Sequence, residues 1–244
     1  MLIKECILRK GLCGSAKIKK NLRGRVKMRV IKPYFIIESD VDGEEALKLI
    51  EKAGRTCYKS ESSISGNSAE EFVRKIIRHG HEAVIEHYSV TVRLVCDRGV
   101  SHEVVRHRLA SYSQESTRYC NYSKDRFENQ VTFIEPCFWD KNTEDGRKKH
   151  EIWERAMAYV EKSYLDLVEN GATPQEARSV LPNSLKTELV MTMNLREWRH
   201  FFKLRTSKAS HPQMRELAIP LLKKFKELIP VVFEDIEAGE QDTE

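Results

Sequence analysis

From Tyr88 to Cys96 the residues alternate: Tyr88, Val90, Val92, Leu94 and Cys96 are apolar, while Ser89, Thr91 and Arg93 between them are polar. A period of two sends alternate side chains to opposite faces of an extended chain, so this stretch reads as a strand with one face buried. The rest of the chain must supply a layer to cover that face.

Helical periodicity on both sides supplies it. Ala46, Leu47, Leu49 and Ile50 predict a helix over Glu44–Ala53 closed by Gly54, and Ser60–Asn67 reads as a polar loop. Ser68 and Glu71 have capping-box spacing ahead of a Phe72, Val73, Ile76, Ile77 stripe, with Gly80 as the left-handed end. A short helix from Val100 should carry the chain to Arg106. Downstream, Ile152–Glu169 predicts a long amphipathic helix ended by Gly171. Thr173-Pro174-Gln175-Glu176 opens another helix, stopped by Pro182. Leu185–Met193 is strand-compatible, and Arg196–Leu204 and Met214–Leu228 are helical, with a kink expected at Pro220. Val30–Glu38 is rich in β-branched and aromatic residues, and Pro33 places it at a sheet edge. Strands and helices in this loose alternation predict a mixed α/β (α+β) fold, one compact domain over residues 28–233 with a mixed sheet flanked by helices.

Charge is distributed unevenly. Residues 1–30 hold ten Lys or Arg and one acid, Glu5, a net of +9, which leaves the other 214 residues at −4 within a total of +5. Residues 1–27 read as a basic extension without the apolar content to order itself, and Met28 is a candidate natural start; the acidic tail 234–244 is expected to fray. The body of the chain thus lacks the basic excess of a nucleic-acid binder. No run of about 18 uncharged apolar residues occurs, so no membrane association is expected and the reading is a cytoplasmic protein. Six cysteines without zinc-like spacing read as reduced thiols, mostly buried fillers.

The densest polar cluster runs from Arg106 to Arg118 (RHRLASYSQESTR). Two-pronged guanidinium donors with serine hydroxyls and one acid suit a phosphate-bearing ligand better than a core. His79, His81 and His87 precede it, and as residues alone they leave three readings open: metal ligands, helix-capping or buried histidines, and cofactor-facing groups.

Arg-His-Arg, two residues, Ser, four residues, Ser, one residue, Arg resembles the signature of the flavin-dependent thymidylate synthases, and all six fixed positions match. By composition such a match arises about once in 10⁴ to 10⁵ chains of this size. His79-Gly80-His81-Glu82 with Glu86-His87, Ala177-Arg178 with Leu181-Pro182, and Asn194, Arg196 and Leu204-Arg205 also look like family blocks, so the resemblance covers about 28–228.

The resemblance implies reductive methylation of dUMP to dTMP on an FAD enzyme, with NADPH as reductant and 5,10-methylenetetrahydrofolate as carbon donor. FAD contacts would be His81, Ala83, Arg106, His107, Arg108, Gln114, Asn194, Arg196 and His200. The dUMP contacts would be Glu103, Val104, Val105, Arg106, Gln114, Glu115, Ser116, Thr117, Arg118, Arg178 and Arg205. Arg205 would also be catalytic, as a fixed cation beside uracil N3. No metal and no catalytic cysteine are implied, which leaves Cys120 a bystander and Ser116 a binding residue. The family implies a homotetramer with FAD and dUMP sites shared between subunits. Two rival readings remain at this stage: a nucleic-acid module using the arginines as phosphate contacts, and a flavoprotein that only oxidises NADPH.

Overall fold

The strand read from the alternation at Tyr88–Cys96 lies inside a four-stranded sheet in the computed structural model, which describes residues 28–239. Here β3 (Ser89–Asp97) pairs antiparallel with β6 (Lys186–Asn194) along its whole length, from Ser89 opposite Asn194 to Asp97 opposite Lys186. β2 (Tyr34–Ile37) and β4 (Ala110–Gln114) form the two edges, giving the order β2-β3-β6-β4. A separate parallel pair joins β1 (Arg29–Ile31) to β5 (Thr132–Ile134). The expected mixed α/β architecture is present, with the antiparallel and parallel pairings divided between two sheets. Pro33 explains the division: it has no N–H for a ladder, so the single strand expected over Val30–Glu38 breaks at Lys32-Pro33. Its second half does take the edge position.

One face of the main sheet is apolar, as the alternation required. Val90, Val92 and Leu94 lie there with Leu189, Met191 and Met193, all buried. They are covered by α6 (Leu195–Arg205), α7 (Pro212–Leu228) and α8 (Pro230–Phe233), and by α1 (Gly43–Arg55) and α2 (Ser68–Arg78). Trp198 of α6 meets Phe225 of α7 at 4.8 Å between ring centroids, and Phe233 of α8 meets Phe225 at 5.2 Å. A second cluster gathers Phe133, Trp153 and Tyr164 against α4 (Glu144–Glu169). α3 (Arg98–Val104) and α5 (Pro174–Ala177) are short connecting helices.

Several local readings hold. Gly80 and Gly171 adopt φ of 73° and 89°, the left-handed ends expected of them. Thr173 and Glu176 form a full capping box around Pro174.

Others are corrected. The Ser68 box does not form: the Ser68 hydroxyl donates to Glu51 Oε2 at 2.9 Å and accepts from the Ser65 amide at 2.9 Å, and Asn67 is the helix cap residue. Gly54 lies inside α1 rather than ending it. A Cβ there would stand 2.6 Å from the tip of the Phe72 ring and 2.9 Å from Val84, so glycine serves the approach of α2. α4 begins at Glu144, eight residues before the apolar stripe, because Thr143 caps it and Glu144–Lys148 and Asp145–Lys149 pair one turn apart. α7 begins at Pro212, two residues before the expected Met214, and is helical through Pro220 as expected.

Of the four cysteines among the described residues only Cys96 is buried, while Cys57 and Cys137 are exposed, so thiol burial is not their common role. The tail from Glu234 does not fray as far as it is described: Ile236 is 2% exposed, Asp235 pairs with Arg199, and the Gly239 amide donates to the Thr206 carbonyl. The expectation for residues 1–27 lies outside the described residues, as does the end of the tail from 240.

Candidate functional site

The signature does not form one loop. α3 ends at Val104, a turn carries Arg106, His107 and Arg108, and the chain then extends as edge strand β4 before turning again at Glu115–Arg118. In β4, Ala110, Tyr112 and Gln114 are half-buried and Ser111 and Ser113 are exposed. The Tyr112 hydroxyl donates to the His107 carbonyl at 2.6 Å, with the Val104 carbonyl at 2.9 Å on the same side. This contact clamps the Arg106–Arg108 turn onto the sheet. Burial pushes the Tyr112 phenol up to about 12, so it remains a donor at neutral pH.

His107 is the buried member of the turn, 4% exposed, between exposed Arg106 and Arg108. Its Nε2 faces Arg205 Nε at 3.1 Å, and its Nδ1 faces Glu197 Oε1 at 3.2 Å. An arginine N–H can only donate, so Nε2 must be the acceptor and the single ring proton sits on Nδ1, directed at Glu197. Burial lowers the His107 pKa below the ordinary histidine value; the Arg205 charge acts in the same direction and Glu197 opposes it. The ring is neutral in this arrangement.

Arg205 is the last residue of α6. Its Nη1 donates to Glu103 Oε2 at 2.9 Å and its Nη2 to the Glu103 carbonyl at 3.0 Å. Three of its five N–H groups are thus held by the protein, and two remain beside a cavity of about 570 Å³ bordered also by Arg106, Arg108, His200 and Leu204. Burial lowers the Arg205 pKa and Glu103 opposes the shift; an arginine so paired stays charged. Among the described residues Arg106 and Arg108 make no ion pair. Arg106 and Arg108 thus bring two guanidinium groups without a carboxylate partner to the cavity, donors of the kind that suits phosphate oxygens.

The structure therefore brings Glu103, Arg106, His107, Arg108, His200 and Arg205 into one place. Gln114 and Glu115 border a different cavity, of about 360 Å³, together with Arg93 and Cys120. There the Gln114 amide donates to Ser101 Oγ at 3.0 Å, and Glu115 accepts from Lys186 at 3.0 Å and from the Tyr122 hydroxyl at 3.1 Å. Burial, with Glu115 adding to it, raises the Cys120 thiol, so it is not a ready thiolate. Thr117 is reached by Arg178 at 3.5 Å, and the Ser116 hydroxyl accepts from the Arg118 amide at 3.3 Å. Among the described residues no side-chain base hydrogen-bonds Ser116. Arg118 stacks on the Tyr119 ring, Val105 is exposed and Val104 fully buried.

The histidine block lies at the end of α2 and along the 3-10 segment that follows it. His79 caps α2 by donating from Nδ1 to the Lys75 carbonyl at 2.7 Å, which is the capping reading for that residue. His81 and Ala83 are exposed on and beside the 3-10 segment Glu82–His87. Arg196 bonds Glu86 of that segment at 2.7 Å, and the Asn194 side chain caps α6 by accepting from the Glu197 amide at 2.9 Å.

Two functional-looking residues had no motif to announce them. Glu197 is a buried acid on α6 whose partner is ninety positions away, and Arg199 is 1% exposed between Glu82 and Asp235. The donor atoms of His107, Glu197 and His200 lie within 4.8 Å of one another, a spacing that can hold a metal ion. The adjacent Arg205 cation opposes that use, and both His107 nitrogens are already committed.

The sequence pattern of the thymidylate synthase complementing protein family matches residues 40–231. A flavin-dependent thymidylate synthase of Geobacter sulfurreducens is 34% identical over 211 residues, covering 84% of this chain and 86% of the relative. The chain belongs to this family. Other flavin-dependent thymidylate synthases agree: that of Pyrococcus horikoshii is 38% identical over 173 residues, 69% of each chain, and that of Mycobacterium tuberculosis 34% over 212, 82% of each. Among solved structures, a UMP/dUMP methylase from Streptomyces cacaoi bound with 5-Br dUMP has the same fold, with a TM-score of 0.71 at 24% identity over 85% of this chain and 96% of the other.

Proposed function

We infer that the chain is a flavin-dependent thymidylate synthase that reductively methylates dUMP to dTMP. Besides family membership, one observation carries the reading: Arg205 borders the cavity, held by three hydrogen bonds to Glu103 and His107, while its other two N–H groups have no partner among the described residues. A cation held in place before the substrate arrives stabilises negative charge without reorganising. Uracil deprotonated or polarised at N3 is an anion of that kind, and Arg205 is the residue proposed to meet it.

The finer assignments follow from the same reading. FAD is the proposed flavin, and it supplies the hydride equivalents when bound. Arg106, His107, Arg108, His200, Asn194, Arg196, His81, Ala83 and Gln114 are its proposed contacts. The dUMP contacts are proposed at Glu103–Arg106, Gln114–Arg118, Arg178 and Arg205. NADPH is the proposed reductant, 5,10-methylenetetrahydrofolate the proposed carbon donor and the cytoplasm the proposed compartment. Because Gln114, Arg178 and His81 do not border the Arg205 cavity of the same chain, a homotetramer that gathers them from neighbouring subunits is part of the proposal. Among the described residues no helix is long and apolar enough to cross a membrane.

The test is a visible absorption spectrum of the purified protein, followed by anaerobic addition of NADPH, then of dUMP with methylenetetrahydrofolate. Flavin bands should bleach with NADPH and recover as dTMP forms. A colourless protein that takes up no FAD, or a flavoprotein that oxidises NADPH without making dTMP, refutes the reading.

A further inference from the structure

The arrangement around His107 has a member that no motif includes. Glu197 stands on the third position of α6, 8% exposed, with its amide held by the Asn194 cap and its Oε1 3.2 Å from His107 Nδ1. The imidazole carries one proton and has two nitrogens, and which nitrogen carries the proton is set by the neighbours. An acid at Nδ1 makes Nε2 the bare nitrogen, and a bare Nε2 is what Arg205 Nε needs at 3.1 Å. With the proton on Nε2 instead, two N–H donors would face each other there and the guanidinium would lose its third anchor.

We propose that Glu197 is a positioning residue for Arg205, acting through His107: its carboxylate keeps the imidazole proton on Nδ1 and so turns Nε2 into the acceptor that fixes the guanidinium. The functional consequence rests on the assignment of Arg205 to the dUMP site; the tautomer itself does not. The charged and titratable groups facing the ring are Glu197, His200 and Arg205 from α6, Glu103 of α3 through Arg205, Tyr112 of β4, and Arg106 and Arg108 beside it in the chain. Glu197 is the negative charge in direct contact with the ring. Against the burial that lowers it, Glu197 therefore also raises the pH at which the ring takes a second proton and releases Arg205.

Two variants test this. Glu197→Gln offers an amide oxygen to Nδ1–H, so the tautomer should survive and dTMP formation stay within about threefold of the wild-type rate. With the negative charge gone, the acid limb of its pH–rate profile should move to lower pH, a shift that a purely packing role would not cause. Glu197→Ala removes the acceptor: kcat should fall about a hundredfold, with bound FAD retained.

Nitrogen-15 spectra of histidine-labelled protein, with the His107 signals identified by their loss in His107→Gln, read the tautomer without any turnover. The expected result is Nδ1–H in the wild type and loss of that preference in Glu197→Ala. Wild-type kcat in a folded Glu197→Ala protein, an unmoved acid limb in Glu197→Gln, or a His107 proton that stays on Nδ1 without the acid would each overturn the proposal. A wild-type protein that makes no dTMP would instead strike the functional reading, and the nitrogen-15 result would still decide the Glu197–His107 link.

Discussion

Two arginines six positions apart on α6 are held in opposite ways. Arg199 is 1% exposed and has its charge answered twice, by Glu82 at 3.0 Å and by Asp235 at 2.7 Å, with the Val232 carbonyl as a further acceptor. Arg205 has one carboxylate, Glu103, and a neutral imidazole, and two of its donors are left beside a cavity. A guanidinium whose donors are all taken can only tie elements together, here α6, the Glu82–His87 segment and the end of the chain. One that is fixed but not finished can bind something. The same residue type on the same helix thus ties elements together at one end and leaves donors for a ligand at the other.

The largest expected effect comes from breaking the chemical end. Arg205→Ala should lower dTMP formation by about 10² to 10³, the range for losing a preorganised electrostatic donor, while the flavin spectrum and thermal midpoint stay near wild type. Unchanged turnover would remove Arg205 from the mechanism and with it the contrast.

Breaking the structural end should do the reverse. Arg199→Met leaves Glu82 and Asp235 without their cation and should cost about 3 kcal/mol of stability, the low end for a broken buried pair because both acids keep some solvent. Denaturant unfolding measures the loss, and the fraction that remains folded should turn over normally.

A smaller and reversible effect separates the ends by pH. His107 is depressed by burial, so the unfolded chain takes up its proton first, at about pH 6.5. Its stabilising contribution is whole above that value and is lost as pH falls through the folded pKa, when a protonated Nε2 repels Arg205. Asp235, lowered by its bond to Arg199, keeps its contribution until the pH drops below the ordinary carboxylate value of about 3.9. Below about pH 6.5 and above the ordinary carboxylate value of about 3.9, activity should therefore fall with pH while the Arg199 pairing persists, as followed by dTMP assays beside thermal melts. Joint collapse of both at one pH would erase the distinction.

The smallest effect belongs to a residue outside both ends. Cys120→Ala should keep activity and cost under about 1 kcal/mol, since the thiol is only partly buried; complete loss in a folded protein would point to a covalent role for sulfur.

How far the sequence went can be seen at single residues. The alternation at Tyr88–Cys96 was enough to place β3, because side-chain period is a local property of the strand. Gly54 and Ser68 were misread because their roles depend on residues elsewhere: Gly54 is small for Phe72, and the Ser68 hydroxyl is drawn to Glu51. β4 hid inside the signature, although Ala110, Tyr112 and Gln114 alternating with Ser111 and Ser113 carried its period of two. The acids and bases of Glu144–Lys149, one turn apart, likewise marked the true start of α4. At the site, the Arg-His-Arg spacing located the arginines, and nothing nearby in sequence could reveal that Glu197 closes the chain from Glu103 through Arg205 and His107. Pairings made across ninety residues of sequence leave no local period to read.

The break at Pro33 has a consequence for how the molecule comes apart. Within nine residues the chain gives β1 to one sheet and β2 to the other, with only Lys32 and Pro33 between. The two apolar clusters are therefore stitched by a span too short to slacken. Neither can open far without pulling a strand from its neighbour, so a region that looks divisible on paper should melt as a single cooperative unit.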